Sequence, residues 1–210
     1  MTHRYLTAIL TSVTLIGSSA QAVEPMCLGA AQLRCASLNA AWLDLRDRNL
    51  AGADFSGAVL ENANFSGANL RGASFHGAKL KSANFIGADL RDTDLEAADL
   101  RRAKLEGANL AKSKLRAADL DMADLELSDL AGADMSLANL RRADIHAADL
   151  QAANLSGAIL DRANLGLANL KGANLSGASL ERASLSGTRL HGATWTDGHS
   201  CGATSLGRCR

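Results

Sequence analysis

The residues of this 210-residue chain that could do chemistry are four cysteines, a few histidines and a dense series of aspartates. Cys27 and Cys35 lie eight apart near one end, and Cys201 and Cys209 eight apart near the other. Neither spacing is the Cys-x-x-Cys of a redox pair, so both pairs read as structural disulfides of an oxidising compartment. Serine is abundant, but the Gly-x-Ser-x-Gly context of a hydrolase nucleophile is absent, as are the Gly-rich phosphate fingerprints. Asp or Asn recurs at almost every fifth residue, which invites a ladder of cation-binding carboxylates. They alternate with Lys79, Lys104 and Lys114, whose ammonium groups would occupy the same rail, so no metal is expected. No catalytic residue and no cofactor is assigned.

Charge narrows the choice further. Lys+Arg and Asp+Glu are 22 each, so no net field draws the chain to nucleic acid or to a membrane surface. Residues 1–22 read as a secretory signal peptide: His3-Arg4 open it, Leu6 to Gly17 form a mildly apolar run, and Ala20-Gln21-Ala22 is a small-x-small cleavage site. Cleavage after Ala22 predicts a periplasmic or secreted protein. No lipobox-like Leu-Cys follows, so no membrane anchor is expected.

What must position everything else is a repeat. Every residue whose number divides by five, from Leu50 to Trp195, is Leu, Phe, Met, Ile or Trp. The residue two before it is Ala from Ala53 onward, save Thr93, Ser113, Ser128 and Thr188, all small. A helix would rotate successive central residues around its whole surface, and a strand would send them to alternate faces. A fixed short period marks a solenoid, in which each unit buries its apolar residue by stacking on neighbours.

Units such as Ala68-Asn69-Leu70-Arg71-Gly72 and Ala73-Ser74-Phe75-His76-Gly77 resemble the pentapeptide repeat family, over about 70% of the chain. The resemblance implies an all-β right-handed quadrilateral β-helix, four pentapeptides to a coil, of about seven coils. It implies no shared activity. With four units per coil, Phe55 should stack on Phe75 and Phe65 on Phe85. His76, His146 and His191 fall on three different faces and His199 lies in the tail, so no His pair and no His-based triad is expected. Coils stacked at roughly 4.8 Å separate the two ends by about 35 Å, which leaves Cys27–Cys35 and Cys201–Cys209 as the pairings.

The expected organisation is therefore a signal peptide (1–22), a disulfide-tied N-terminal cap (23–48), the β-helix (49–195) and a disulfide-tied C-terminal cap (196–210). Residues 31–43 step by five in another phase, as either a capping helix or an out-of-phase coil. Trp42 and Trp195 read as lids over the solenoid ends. Three faces often carry Gly second in the outward pair; the fourth carries Arg101-Arg102, Arg141-Arg142, Asp161-Arg162 and Glu181-Arg182 instead. That face is expected to have a different turn type, and its row Arg102, Arg142, Arg162 and Arg182 is the candidate partner face.

Two functions compete. One is a non-catalytic exported scaffold or protein–protein interaction module, a monomer or an end-to-end dimer, which meets another protein through a flat solenoid face. The other is the role that the best-known branch of the resembled family implies, a DNA-mimicking, topoisomerase-binding protein of quinolone resistance. That role asks for a strongly acidic surface and a cytoplasmic address, and this sequence predicts neither.

Overall fold

The computed structural model describes residues 35–210, so the expected signal peptide and Cys27 lie outside the described residues. The fold follows from where the five N–H groups of each pentapeptide go. In the unit centred on Leu50, the Leu50 N–H donates to the Asn69 carbonyl (2.7 Å) and the Gly52 N–H to the Arg71 carbonyl (2.9 Å), both in the next coil. The Ala53 N–H returns to the Leu50 carbonyl (3.0 Å), closing a β-turn. The residue before each centre bonds backwards, as the Asn69 N–H does to the Arg48 carbonyl (2.9 Å). Parallel pairing therefore advances by twenty residues throughout, from Asn39 with Val59 to Asn174 with Thr194. Four turns complete each coil of a right-handed quadrilateral β-helix.

The fifth N–H, on the first turn residue, has no backbone partner. Asp or Asn two residues earlier supplies one: Asp54 Oδ1 accepts from the Ser56 N–H (3.0 Å), and Asn64 Oδ1 from the Ser66 N–H (3.1 Å). This is the physical reason for the recurring Asp and Asn. Their second task is vertical. Asn139 Nδ2 donates to Asp119 Oδ1 one coil away (2.8 Å), and Asn169 to Asp149 likewise (2.8 Å).

Away from the ends, the central residues and the small residues two before them are fully buried, Leu100 and Ala118 at 0% exposure among them. The rings of Phe55 and Phe75 stack at 5.0 Å, as do those of Phe65 and Phe85, and the two stacks meet edge to face. Where a hydroxyl replaces Ala, the buried oxygen is satisfied: Thr93, Ser113 and Ser128 each donate to the carbonyl three residues back at 2.7 Å. Among the described residues no buried side-chain polar atom lacks a partner.

Three expectations change. Residues 35–48 form neither a helix nor an out-of-phase coil. They carry the same turns and the same pairing as the rest, so the solenoid starts before residue 49. The centres are Cys35, Ala40 and Leu45, all buried, while Leu38 and Leu43 take the place usually held by Ala. Trp42 is thereby put on a turn, 63% exposed, and is no lid. Lastly, the Arg-bearing corner has no turn of its own. The second turn residue has positive φ at all thirty-two turns from Ser37 to Gly192, which at four per coil is eight coils. One positive φ at that place is the type II arrangement, easy for Gly52 and strained for Arg102.

At the other end, residues 199–206 fold back antiparallel on the last coil, pairing Thr194 with Ser200 and Arg189 with Leu206. Trp195 is partly buried against the core. Cys201 joins Cys209 in a disulfide with Cα atoms 4.9 Å apart. The fold-back covers two sides of the last coil and leaves Leu180, Ala183 and Leu185 half-buried on the other two. Among the described residues no helix is long and apolar enough to cross a membrane.

Because Ala118 has no free volume around it, Ala118→Glu should destabilise the protein by more than about 2 kcal/mol in urea unfolding. Ala117→Glu, on the adjacent exposed turn, should cost much less.

Candidate interaction face

The corner after Leu100, Leu120, Leu140, Leu160 and Leu180 stacks its second turn residues in one row, and Arg102, Arg142, Arg162 and Arg182 belong to it with φ of 58°, 58°, 62° and 60°. Non-glycine residues in this region are strained by about 1 kcal/mol or more each. Gly holds many of the equivalent sites on the other corners, so this corner accepts strain to keep its side chains.

A neighbouring coil or the same turn supplies a carboxylate to part of the row. Arg142 clamps Asp121 of the preceding coil with both nitrogens (2.6 to 3.1 Å), and Arg182 lies 3.5 Å from Glu181. Arg141 reaches Asp161 at 3.4 Å. Asp161 also accepts from Ser179 Oγ and from the Glu181 N–H (3.2 Å), the donor that Ser179 cannot serve in the manner of an Asp or Asn. The Ser179 hydroxyl is the first cause that holds the Asp161 carboxyl below the usual range, ahead of the Glu181 N–H and Arg141. Arg102 and Arg162 have no ion pair among the described residues. Arg141, Arg142, Asp161, Arg162 and Glu181 line a shallow open groove, three guanidiniums against two carboxylates. The structure divides the row into cations engaged by carboxylates and cations with no ion pair among the described residues.

On this corner and on two others, arginines grip carboxylates two residues back. Arg101 holds Asp99 by two contacts (2.5 and 2.7 Å) and lies 3.7 Å from Asp119; Arg91 with Asp89 and Arg46 with Asp44 repeat the grip. In each the arginine hydrogen bond is the first cause that lowers the carboxyl's pKa.

Two groupings were not foreseen. His76, Asp94 and Glu96 bring donor atoms within 4.8 Å of one another, with His76 Nδ1 3.8 Å from Asp94 Oδ1. Comparing histidines only with each other hid this; the twenty-residue step from 76 to 96 was the available signal. Such a set can hold a divalent ion, although Arg116 lies 3.7 Å from Glu96 and competes for it. The second grouping lies in the tail and sets a carboxylate and an imidazole beside a disulfide sulfur. Asp197, His199 and Cys209 come together because the tail folds back, with His199 Nε2 3.1 Å from Cys209 Sγ. Cys35 is disulfide-bonded, and its expected partner Cys27 lies outside the described residues. His146 and His191 join neither grouping.

The model of the pentapeptide repeats matches eight times, in overlapping segments between residues 41 and 194. The chain belongs to the pentapeptide repeat family. Among solved structures it is similar to HetL of the cyanobacterium Nostoc sp. strain PCC 7120, a pentapeptide repeat protein involved in heterocyst differentiation regulation. Identity is 32% over 81% of this chain and 93% of that one, with a TM-score of 0.37. A pentapeptide repeat protein from the Arabidopsis thaliana thylakoid lumen is 36% identical over 53% of this chain and 71% of its own, with a TM-score of 0.31. QnrB1, a plasmid-mediated fluoroquinolone resistance protein, is 18% identical over 79% and 94%, with a TM-score of 0.45. No curated protein matches. The family match carries the family and its fold to this pentapeptide repeat protein, and no activity.

The arginine grips give an acid dependence. Each folded carboxyl pKa lies below its unfolded value, so the stabilisation is full above about pH 4 and is lost as pH falls through the lower folded value. The thermal midpoint should be level from pH 7 to about 5 and should drop below about pH 4. Asp99→Asn should reduce that drop.

Proposed function

We propose that this pentapeptide repeat protein is an exported, non-catalytic scaffold that holds another envelope or extracellular protein against the corner carrying Arg102, Arg142, Arg162 and Arg182. One observation carries the reading: the groove at Arg141, Arg142 and Arg162, where a strained Arg162, with no ion pair among the described residues, sits beside cations already shared with Asp121 and Asp161. A protein surface bearing spaced carboxylates is the matching chemistry, and charge complementarity there favours fast, specific encounter over raw affinity. Export rests on the signal-like residues 1–22, and the Cys201–Cys209 disulfide suits the oxidising compartment it implies. The competing topoisomerase reading asks for a strong acidic field, and the formal net charge here is 0. Leu180, Ala183 and Leu185, half-covered on the last coil, are where an end-to-end dimer would form.

Two measurements test this. Mass spectrometry of the protein recovered from host fractions should find a chain beginning at Val23 in the envelope or the medium, four mass units light from two disulfides. A full-length reduced chain in the cytoplasm overturns export. Cross-linking in that fraction should then trap a partner with the native protein. The Arg102→Gln, Arg142→Gln, Arg162→Gln, Arg182→Gln variant should lose it at an unchanged melting temperature. Equal trapping by both proteins overturns the face.

A further inference from the structure

The tail carries chemistry that the solenoid does not. After Trp195 the chain reverses through Gly198 (φ +89), whose N–H returns to the Trp195 carbonyl (3.0 Å). The reversal aligns Asp197 with His199: Asp197 Oδ1 accepts from the His199 backbone N–H (3.2 Å) and faces the ring at Nδ1. These contacts, the backbone one first, hold the Asp197 carboxyl below the usual range. The other ring nitrogen, Nε2, is 3.1 Å from Cys209 Sγ. A carboxylate and a disulfide sulfur can only accept, so both contacts are satisfied together when the ring carries hydrogen on both nitrogens. The two sulfurs differ in access: Cys201 is 2% exposed, whereas Cys209 is only partly buried.

We propose that Cys201–Cys209 is a thiol–disulfide exchange site. Cys209 is the sulfur that meets the external reactant, His199 its proton partner, Asp197 the positioning residue, and buried Cys201 the resolving thiol. The reactants are dithiols and disulfides, of small molecules or of other proteins. In the reducing direction a donor thiolate attacks Cys209 Sγ. The Cys201–Cys209 bond breaks, its electron pair goes to Cys201, and Cys201 takes a proton. The donor's second thiolate then attacks the donor sulfur of the mixed disulfide. Cys209 leaves with the electron pair as a thiolate held beside the His199 imidazolium, and the proton of the donor's second thiol passes to solvent. The donor loses two electrons and two protons and closes its own disulfide. In reverse, the Cys209 thiolate opens a partner's disulfide and Cys201 releases the partner. An imidazolium beside the sulfur stabilises the thiolate in both directions, through a lowered thiol pKa and an easier departure. This function is separate from the arginine corner and does not depend on it.

The test uses the full chain. After reduction it is alkylated with iodoacetamide at pH 6, and each cysteine is followed by mass spectrometry. Cys209 should react at least about tenfold faster than Cys201, and His199→Gln should remove most of that advantage. In parallel, the native protein and His199→Gln are equilibrated with reduced and oxidised glutathione at pH 7. The variant should shift toward the disulfide by severalfold, because it loses thiolate stabilisation in the reduced form. Asp197→Asn, which leaves the ring in place, should move both readouts the same way by less. Equal alkylation of the two cysteines, including through opening of the tail on reduction, overturns the proposal. So does a glutathione equilibrium indifferent to His199.

Discussion

One N–H group in five has no backbone partner in this fold, and much of the sequence answers that deficit. The coil-to-coil bonds and the turn bond use four donors of each pentapeptide. The fifth must find a side chain or water, since an unmet donor against a packed core is costly. Asp and Asn reach it from two residues before, and this locks the turn that points the next Leu inward. The same side chain then has an oxygen or an amide left for the coil beside it, as Asn164 shows with Asp144. The regular spacing of Asp and Asn thus serves folding.

Most of this was legible in the sequence. The period of five and the small residue two before each centre follow from the repeat alone, and the stacking of Phe55 on Phe75 from the four units per coil that the family resemblance implies. The reading failed where size and position were exchanged. In the first described units the large residue is Leu38 or Leu43 at the site usually held by Ala, and the centres include Cys35 and Ala40. Searching for large apolar residues found a false phase, although the hydrogen-bond frame runs on unbroken. The turn type of the arginine corner was misjudged for a related reason. Glycine content reports how easily a left-handed residue is accommodated, not whether one is present. The meeting of Asp197, His199 and Cys209 was illegible because the period stops at Trp195, and with it the register that assigns neighbours.

The two candidate sites follow this division of labour. Apart from the meeting of His76, Asp94 and Glu96, the coils spread their functional groups instead of gathering them at one point. What they can do is repeat a group along a row, and the arginine corner is such a row, partly neutralised by Asp121 and Asp161. The tail escapes the repeat, and there alone among the described residues a carboxylate, an imidazole and a sulfur are held within contact by one reversal of the chain.

The stacking of the coils also sets a ruler for whatever lies against the rod. Side chains along one corner recur at the strand-to-strand distance of a β-sheet, roughly 4.8 Å, whereas same-side residues of an extended peptide recur at about 6.7 Å. An extended peptide laid along the axis falls out of step within a few coils. A partner that lays the strands of its own sheet across the row keeps step over the whole length, and the arginines then select by spacing as well as by sign.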